Sequence, residues 1–279
     1  MLLRKTNERG GSAACSREHA LYLKGIRRHG RRVALSRALL LLLLLGLWEL
    51  AGRLGLADPF IVSSPLRVAE TIARLYNGGE LLMHVFTSFY ETVLGFAIGT
   101  LLGTLIAAAL WFMPSVNEVL EPYLVILNAL PKIALGPILI VWVGAGPEAI
   151  ITMALLVSTV VTVMSVLAGF IETGEENRRL MQTLGASRIK TFTKAVLPAS
   201  VPTIMSALKI SVGMSWVGVI VGEYLVSRRG LGYLIVYGGQ VFKLDLVMAS
   251  ITVLCVLAAL MYYGVAILEK AMDKRFGRS

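Results

Sequence analysis

Residues 184–202 read LGASRIKTFTKAVLPASVP and lie between two long apolar runs of the chain. Five basic and three acidic residues fall within residues 172–194, and no catalytic motif lies near them. At roughly 2.5–3.5 kcal/mol for each charged residue at the centre of a bilayer, insertion of this segment would cost on the order of 20 kcal/mol. The segment is therefore expected to stay in water, between two parts of the chain that do not.

Those flanking runs indicate a membrane protein. The 279 residues are 56% hydrophobic and only 16% charged, whereas about 25% of residues are charged in soluble domains. Because a helix needs about 20 apolar residues to cross a bilayer, the sequence predicts an all-α polytopic membrane protein with about six transmembrane helices. The expected spans are residues 36–52, 86–113, 119–144, 147–170, 201–224 and 246–268.

Two of these spans need comment. The leucine block at residues 38–47 has a signal-peptide alternative, but 37 residues precede it and no A-x-A site follows, so a retained span is favoured. The third span contains Pro131, Lys132, Gly136 and Pro137. Proline removes a helical hydrogen bond, and non-helical backbone at membrane depth requires cover by protein or a water-filled cavity. We therefore expect a broken helix that faces the inside of a bundle.

The basic residues indicate the orientation. Nineteen lie before the first span, in the loop after the fourth, or after the last, and six lie on the opposite side. Cytoplasmic loops carry the excess of Lys and Arg. The sequence thus predicts a basic cytoplasmic tail over residues 1–35, a transmembrane domain over 36–279, a cytoplasmic loop over 172–199, and both termini in the cytoplasm. No basic patch is interleaved with stacking aromatics, so a nucleic-acid partner is not expected.

The cytoplasmic loop is patterned as two short helices. Leu180 and Leu184 lie one turn apart, with Met181 beside them, and form an apolar stripe. Gly185 is suited to end this helix, and Ser187 to cap a second one. The apolar residues have two interpretations: they pack back on the span ends, or they dock a cytoplasmic partner in a groove.

Several motifs resemble one family. Gly185, Leu197 and Pro198 keep the spacing of the cytoplasmic signature loop of ABC-importer permeases of type I, and LGAS and LPASVP are similar to the branch that imports nitrate, sulfonates and taurine. ALPKIALGPILIVWVGAG (129–146) and SWVGVIVGEYLVSRRGLGYLI (215–235) resemble the third and fifth spans of that branch. The sequence departs from the signature where Arg179, Leu180 and Met181 replace Glu-Ala-Ala, and where Ala195 replaces Ile.

The resemblance implies a permease subunit in the bacterial inner membrane that forms the pathway of an ATP-driven importer for a small solute, such as a sulfonate, taurine or nitrate. It implies two separate ABC ATPase subunits, an extracytoplasmic substrate-binding protein and a second permease copy as partners. The sequence lacks a G-x-x-x-x-G-K-[ST] phosphate loop. We therefore expect no enzyme activity, catalytic residue, metal site or cofactor in this chain, and ATP and Mg²⁺ bound by the ATPases.

The resemblance also places ATPase coupling in the two cytoplasmic helices. The residues implied are Glu175, Arg179, Leu180, Met181, Leu184, Gly185, Ala186, Ser187 and Arg188.

Candidate pathway residues are polar groups within spans, since intramembrane polarity is a functional hypothesis by default. They are Asn128, Lys132, Ser211, Ser215, Trp216 and Glu223. Lys132 has the alternative of snorkelling or pairing with Glu121, and Glu223 that of a plain interfacial carboxylate.

Other polar span residues have a structural interpretation. Ser158, Thr159, Thr162 and Ser165 are expected to make helix–helix contacts, and Glu91 to be structural. An ion-coupled secondary transporter is the alternative function, but it would carry carboxylates at the midplane, and those of this chain lie near span ends.

Overall fold

The computed structural model describes residues 17–55, 59–172 and 174–275. These residues form helices and short connections, and no strand occurs among them. The described residues fall into two compact units, one up to residue 65 and one from residue 66 onward. The first contains α1 (Arg17–Arg53) and α2 (Pro59–Val62), and the leucine block lies in the apolar part of α1, Leu35–Arg53.

The second unit contains the remaining helices. They are α3 (Pro65–Asn77), α4 (Glu80–Phe112), α5 (Pro114–Ala129), α6 (Gly136–Val143), α7 (Pro147–Glu172), α8 (Gly174–Thr183), α9 (Arg188–Thr191), α10 (Leu197–Val226), α11 (Leu231–Gln240) and α12 (Leu244–Arg275). Within the described residues, five helical segments are long and apolar enough to cross a membrane, and the bent pair α5–α6 makes up to six. The predicted all-α fold with about six spans is confirmed.

The break in the third span is confirmed as well. Helix α5 ends at Ala129, a 3₁₀ turn runs over Lys132–Leu135, and α6 begins at Gly136. The two halves meet at 84°. Pro131 lies at the bend, where it has no N–H to donate, while its carbonyl accepts from the Ala134 amide at 2.8 Å.

Helix α4 packs closely on α7 through glycines spaced four residues apart. A Cβ built on Gly95 would lie 2.6 Å from the Cβ of Ala154, and one on Gly103 would lie 2.7 Å from the Cβ of Thr162. Glycine at these positions therefore lets the two helix backbones approach, as small residues do at interfaces between membrane helices.

Helix α10 packs on α7 by the same means. A Cβ on Gly222 would lie 2.9 Å from the Cα of Ile150, and Gly218 abuts the backbone of Ala154. Since Ala154 faces both α4 and α10, α7 is the central helix of this unit. A small cluster of three buried leucines joins α11 to α12: Leu231, Leu234 and Leu246.

Helix α3, over Pro65–Asn77, has only two buried residues, Val68 and Thr71. Arg67 on this helix donates to Asp245 Oδ2 at 2.7 Å, which ties α3 to the start of α12.

Candidate functional site

The segment between α7 and α10 has the local structure that its sequence predicts. Gly185 has a φ of 71°, a left-handed conformation that glycine adopts without a Cβ penalty, and it follows the end of α8. The Ala186 amide donates to the Met181 carbonyl at 3.0 Å across this turn. The Ser187 hydroxyl accepts from the Lys190 amide at 3.4 Å and caps α9. The predicted stop and cap are therefore both present.

The apolar residues of the segment divide into two groups. Leu180 is 60% exposed, Leu184 72% and Ile189 68%, and Met181 is half-buried. Phe192 and Val196 are buried. Ile189 on α9 is thus exposed like Leu180 and Leu184, although it lies only three residues before Phe192.

Phe192 anchors the segment to the ends of the spans. Its ring centroid lies 5.0 Å from those of Trp111 and Phe112 and 5.2 Å from that of Phe170. Trp111 and Phe112 end α4, and Phe170 lies in the last turn of α7. Such aromatic pairs contribute about 0.5–1.5 kcal/mol each beyond their buried area. The second half of the segment is thus fixed to the bundle while the leucines of the first half remain accessible.

The anchored half continues directly into α10, which is the fifth of the six expected spans. Residues Phe192–Val196 form a π-helical turn between α9 and α10, and the helical path is continuous from Arg188 to Val226. Single π turns within helices occur frequently at functional sites. No loop therefore interrupts the backbone between α9 and α10.

The other predicted coupling residues lie on the same segment. Ala186 is half-buried and Arg179 is exposed. Arg188 Nη1 donates to the Phe112 carbonyl at 3.3 Å, at the end of α4. The side chain of Glu175 lies outside the described side chains.

Asn128 and Lys132 flank the bend of the broken span. The Lys132 ammonium donates to the Asn128 carbonyl at 2.9 Å, and no ion pair with Glu121 occurs among the described residues. Asn128 is exposed and Lys132 half-buried. Helix α5 as a whole has no buried residue, so in the single chain this face of the unit is uncovered.

The polar residues of α10 lie inside the helix packing. Ser211 and Thr162 share a hydrogen bond of 2.6 Å between their hydroxyls, which joins α10 to α7 and confirms the predicted helix–helix contact of Thr162. Trp216 is 3% exposed and packs against Val212 and Val265. Trp216 Nε1 and Ser215 Oγ have no hydrogen-bond partner among the described residues.

Glu223 lies in a buried polar network at the end of α10 away from α8. Its carboxylate accepts from Ser88 Oγ at 2.5 Å and from the Gly232 amide at 2.6 Å. Ser88 Oγ in turn accepts from the Leu231 amide at 2.7 Å. With 1% of its surface exposed, Glu223 does not have the interfacial exposure that its sequence position suggested.

Two further side chains complete this network. His84 Nδ1 accepts from the Gly230 amide at 2.9 Å, and the buried carboxyl group of Glu91 lies near that of Glu223. The first amides of α11 have no intrahelical acceptor, and side chains of α4 and α10 supply it. The sequence pattern did not single out His84 and Ser88, although their spacing of four on an apolar helix, followed by Glu91, is a signal that they share a face.

Comparison with known proteins gives a consistent result. The family described as "Binding-protein-dependent transport system inner membrane component" matches residues 99–278. A probable ABC transporter permease protein of Haemophilus influenzae is 30% identical over 236 residues, covering 84% of this chain and 95% of the relative. The taurine transport system permease protein TauC of Escherichia coli is 28% identical over 252 residues, covering 88% and 91%.

A solved structure has the same fold. A chain of the MetNI methionine ABC transporter, in an inward-facing conformation, superposes with a TM-score of 0.61 at 16% identity, covering 68% of this chain and 94% of its own length. At this identity the likeness concerns the fold.

Proposed function

The chain belongs to the binding-protein-dependent transport system inner membrane component family and is an ABC-importer permease, and from that premise we propose that α8 and α9 receive the force of a separate ATPase. The observation that carries the proposal is the pair of exposed leucines, Leu180 in α8 and Leu184 in the turn that follows it, on a segment whose charged residues keep it in water. Isolated exposed leucines need no explanation, but two in one stripe beside exposed Ile189 fit the groove of a partner.

The path from this surface to the bundle supports the same proposal. The aromatic cluster around Phe192 fixes the segment to α4 and α7, and the continuous helix from Arg188 to Val226 carries its movement into α10. Rotation of α8 and α9 by closing ATPases would therefore tilt α10 against α7. Glu175, Arg179, Gly185, Ala186 and Ser187 would shape or border the contact.

A second copy of the chain would complete the translocation pathway. Helix α5 has no buried residue, and its Tyr123 and Ile126 are 59% and 60% exposed. Two permeases with two ATPases and an extracytoplasmic binding protein are the assembly we propose in the bilayer, with no nucleic acid. ATP and Mg²⁺ would be held by the ATPases, and this chain would hold no metal or cofactor and catalyse no reaction.

A small anion is the proposed solute, and the first choices are a sulfonate, taurine and nitrate. Lys132 supports it, because its ammonium lies at the Pro131 bend on the uncovered face, where a cation attracts anions. The name of the TauC relative supports the sulfonate class. Asn128 would assist Lys132. Ser211, Ser215, Trp216 and Glu223 would reach the pathway only after rearrangement of their buried surroundings.

The orientation we propose follows the distribution of basic residues, with both termini and the α8–α9 segment in the cytoplasm. The plasma (inner) membrane of a bacterium is the corresponding location.

Transport in vesicles tests the proposal. The chain is reconstituted with its co-expressed ATPase and binding protein, and taurine uptake is measured with ATP inside, with a non-hydrolysable ATP analogue, and with a proton or sodium gradient alone. We expect uptake only with ATP. Uptake that follows an ion gradient and ignores ATP would establish the secondary-transporter alternative and refute the coupling role.

A further inference from the structure

A cavity of about 240 Å³ lies between the α8–α9 segment and the ends of α4, α5 and α7. Its apolar wall includes Leu110, Trp111 and Phe170, and its polar lining includes Asn117, Arg178 and Arg188. Liquid water occupies about 30 Å³ per molecule, so this cavity has room for a polar group of several heavy atoms. It is separate from the exposed leucine stripe and from the bend at Pro131.

The charge of the lining is positive. None of the ion pairs among the described side chains involves Arg178 or Arg188. Arg188 is fixed by its 3.3 Å hydrogen bond to the Phe112 carbonyl, which uses only one of its five N–H groups. Two guanidinium groups beside one cavity favour an anion with several oxygens, and phosphate groups are bound in this way through paired N–H donors.

Asn117 adds a different preference. Its Oδ1 atom is buried and has no hydrogen-bond partner among the described residues. A buried acceptor without a donor costs about 1–3 kcal/mol. The cavity beside the guanidinium groups has room for a ligand that supplies this donor. A ligand that carries a hydroxyl group next to its anionic group satisfies Asn117 and the arginines together.

We infer that this cavity binds the headgroup of an anionic phospholipid whose phosphodiester meets Arg178 and Arg188 and whose headgroup hydroxyl donates to Asn117 Oδ1, as phosphatidylglycerol provides. The lipid source follows from the depth of the cavity. Trp111 and Phe170 belong to the last turns of two spans, where acyl chains and headgroups meet, and basic pockets between helices on the cytoplasmic side bind such headgroups. The inference rests on the proposed orientation of α8 and α9.

A bound headgroup would bridge α8 and α9. Arg178 belongs to α8 and Arg188 to α9, and Gly185 lies between them. A phosphodiester held by both arginines restricts the angle at Gly185 and so sets the position of the coupling leucines.

Native mass spectrometry of the full-length protein in detergent tests the binding. Phosphatidylglycerol is titrated against phosphatidylmethanol, which has the same phosphodiester charge without a headgroup hydroxyl. We expect wild type to bind phosphatidylglycerol about tenfold more tightly than phosphatidylmethanol, because the headgroup hydroxyl adds one good hydrogen bond. Arg178→Gln with Arg188→Gln is expected to lose binding of both lipids at least tenfold, while Arg228→Gln with Arg229→Gln, an equal loss of charge just beyond the opposite end of α10, retains it.

Asn117→Leu provides a second measurement that does not depend on the arginines. It is expected to bind both lipids equally, because the discriminating acceptor is gone. Equal lipid binding by wild type and the double arginine variant, or an unchanged lipid preference in Asn117→Leu, would overturn the inference. Displacement of the bound lipid by inorganic phosphate or glycerol 3-phosphate would show that the cavity prefers a free phosphate, and would overturn its assignment to a lipid.

These measurements use the chain without any ATPase. A failure of lipid binding therefore leaves ATP-driven uptake by wild type untouched, and a failure of ATP-driven uptake leaves the lipid result as it stands.

Discussion

Replacement of Leu184 tests the coupling surface most directly. Leu184, in the turn that follows α8, is 72% exposed, and complete burial of a leucine side chain is worth about 1.5–3 kcal/mol. If an ATPase covers the exposed part, the contact contributes roughly 1–2 kcal/mol on the same scale. Leu184→Ala should therefore weaken ATPase binding about 5- to 30-fold.

Leu184→Asp should weaken binding further, because the ATPase groove would then have to take up a carboxylate without a partner. The affinity is measured by surface binding of the purified ATPase to the permease in nanodiscs, together with ATP-driven uptake in vesicles. Membrane insertion should be unchanged, since α8 is excluded from the bilayer by its charges.

A matched control comes from the first span. Leu42 is 65% exposed but lies in the leucine block of α1, so Leu42→Ala removes the same atoms where no cytoplasmic protein reaches. Wild-type ATPase affinity and uptake in Leu184→Asp would refute the docking role. An equal loss in Leu42→Ala would show that the effect is not specific to α8.

Three other outcomes follow from the geometry. Glu223→Ala leaves the Ser88 hydroxyl and the Gly232 amide without their acceptor, at about 1–3 kcal/mol each. Hydrogen exchange at residues 230–233 should rise, and rise less in Glu223→Gln; no difference from wild type would contradict the capping role. Gly103→Ala should cost about 1–3 kcal/mol through the clash with Thr162; the thermal midpoint should fall, while that of Gly213→Ala, with open space at its Cβ, should not. Lys132→Gln should raise the KM for taurine uptake about tenfold if the ammonium attracts the anion, with Lys243→Gln as the charge-matched control; an unchanged KM would remove Lys132 from the pathway.

Local signals in the sequence predicted the secondary structure of the α8–α9 segment closely. Gly185 and Ser187 act through their own backbone and the next few residues, so their roles as helix stop and cap depend on nothing distant. The break at Pro131 is similarly local, because a missing N–H disrupts any helix. The sequence did not separate Ile189 from Phe192, because that depends on where the ends of α4 and α7 stand.

The hydrogen-bond partners of polar residues within spans could not be predicted from the sequence. Each partner lies on another helix, far away in the chain. Ser211 was assigned to the pathway, but Thr162, 49 residues away, takes its hydroxyl. Glu223 was also assigned to the pathway, with an interfacial carboxylate as the alternative, and Ser88, 135 residues away, holds it in the interior. A helical period shows which residues share a face, and it does not show which helix that face meets.

By itself, the sequence determined that the chain is a membrane protein with about six spans, where the third span breaks, and that the charged loop containing LGASRIKTFTKAVLPASVP forms short helices. These follow from transfer free energies and local backbone chemistry, which act within about 20 residues. Only the tertiary structure decided that Leu184 stays exposed while Phe192 is buried, and that His84, Ser88 and Glu223 converge on the start of α11. Helices α4 and α10 both pack on α7 at Ala154 and also contact each other, which brings these residues together although they lie far apart in the chain.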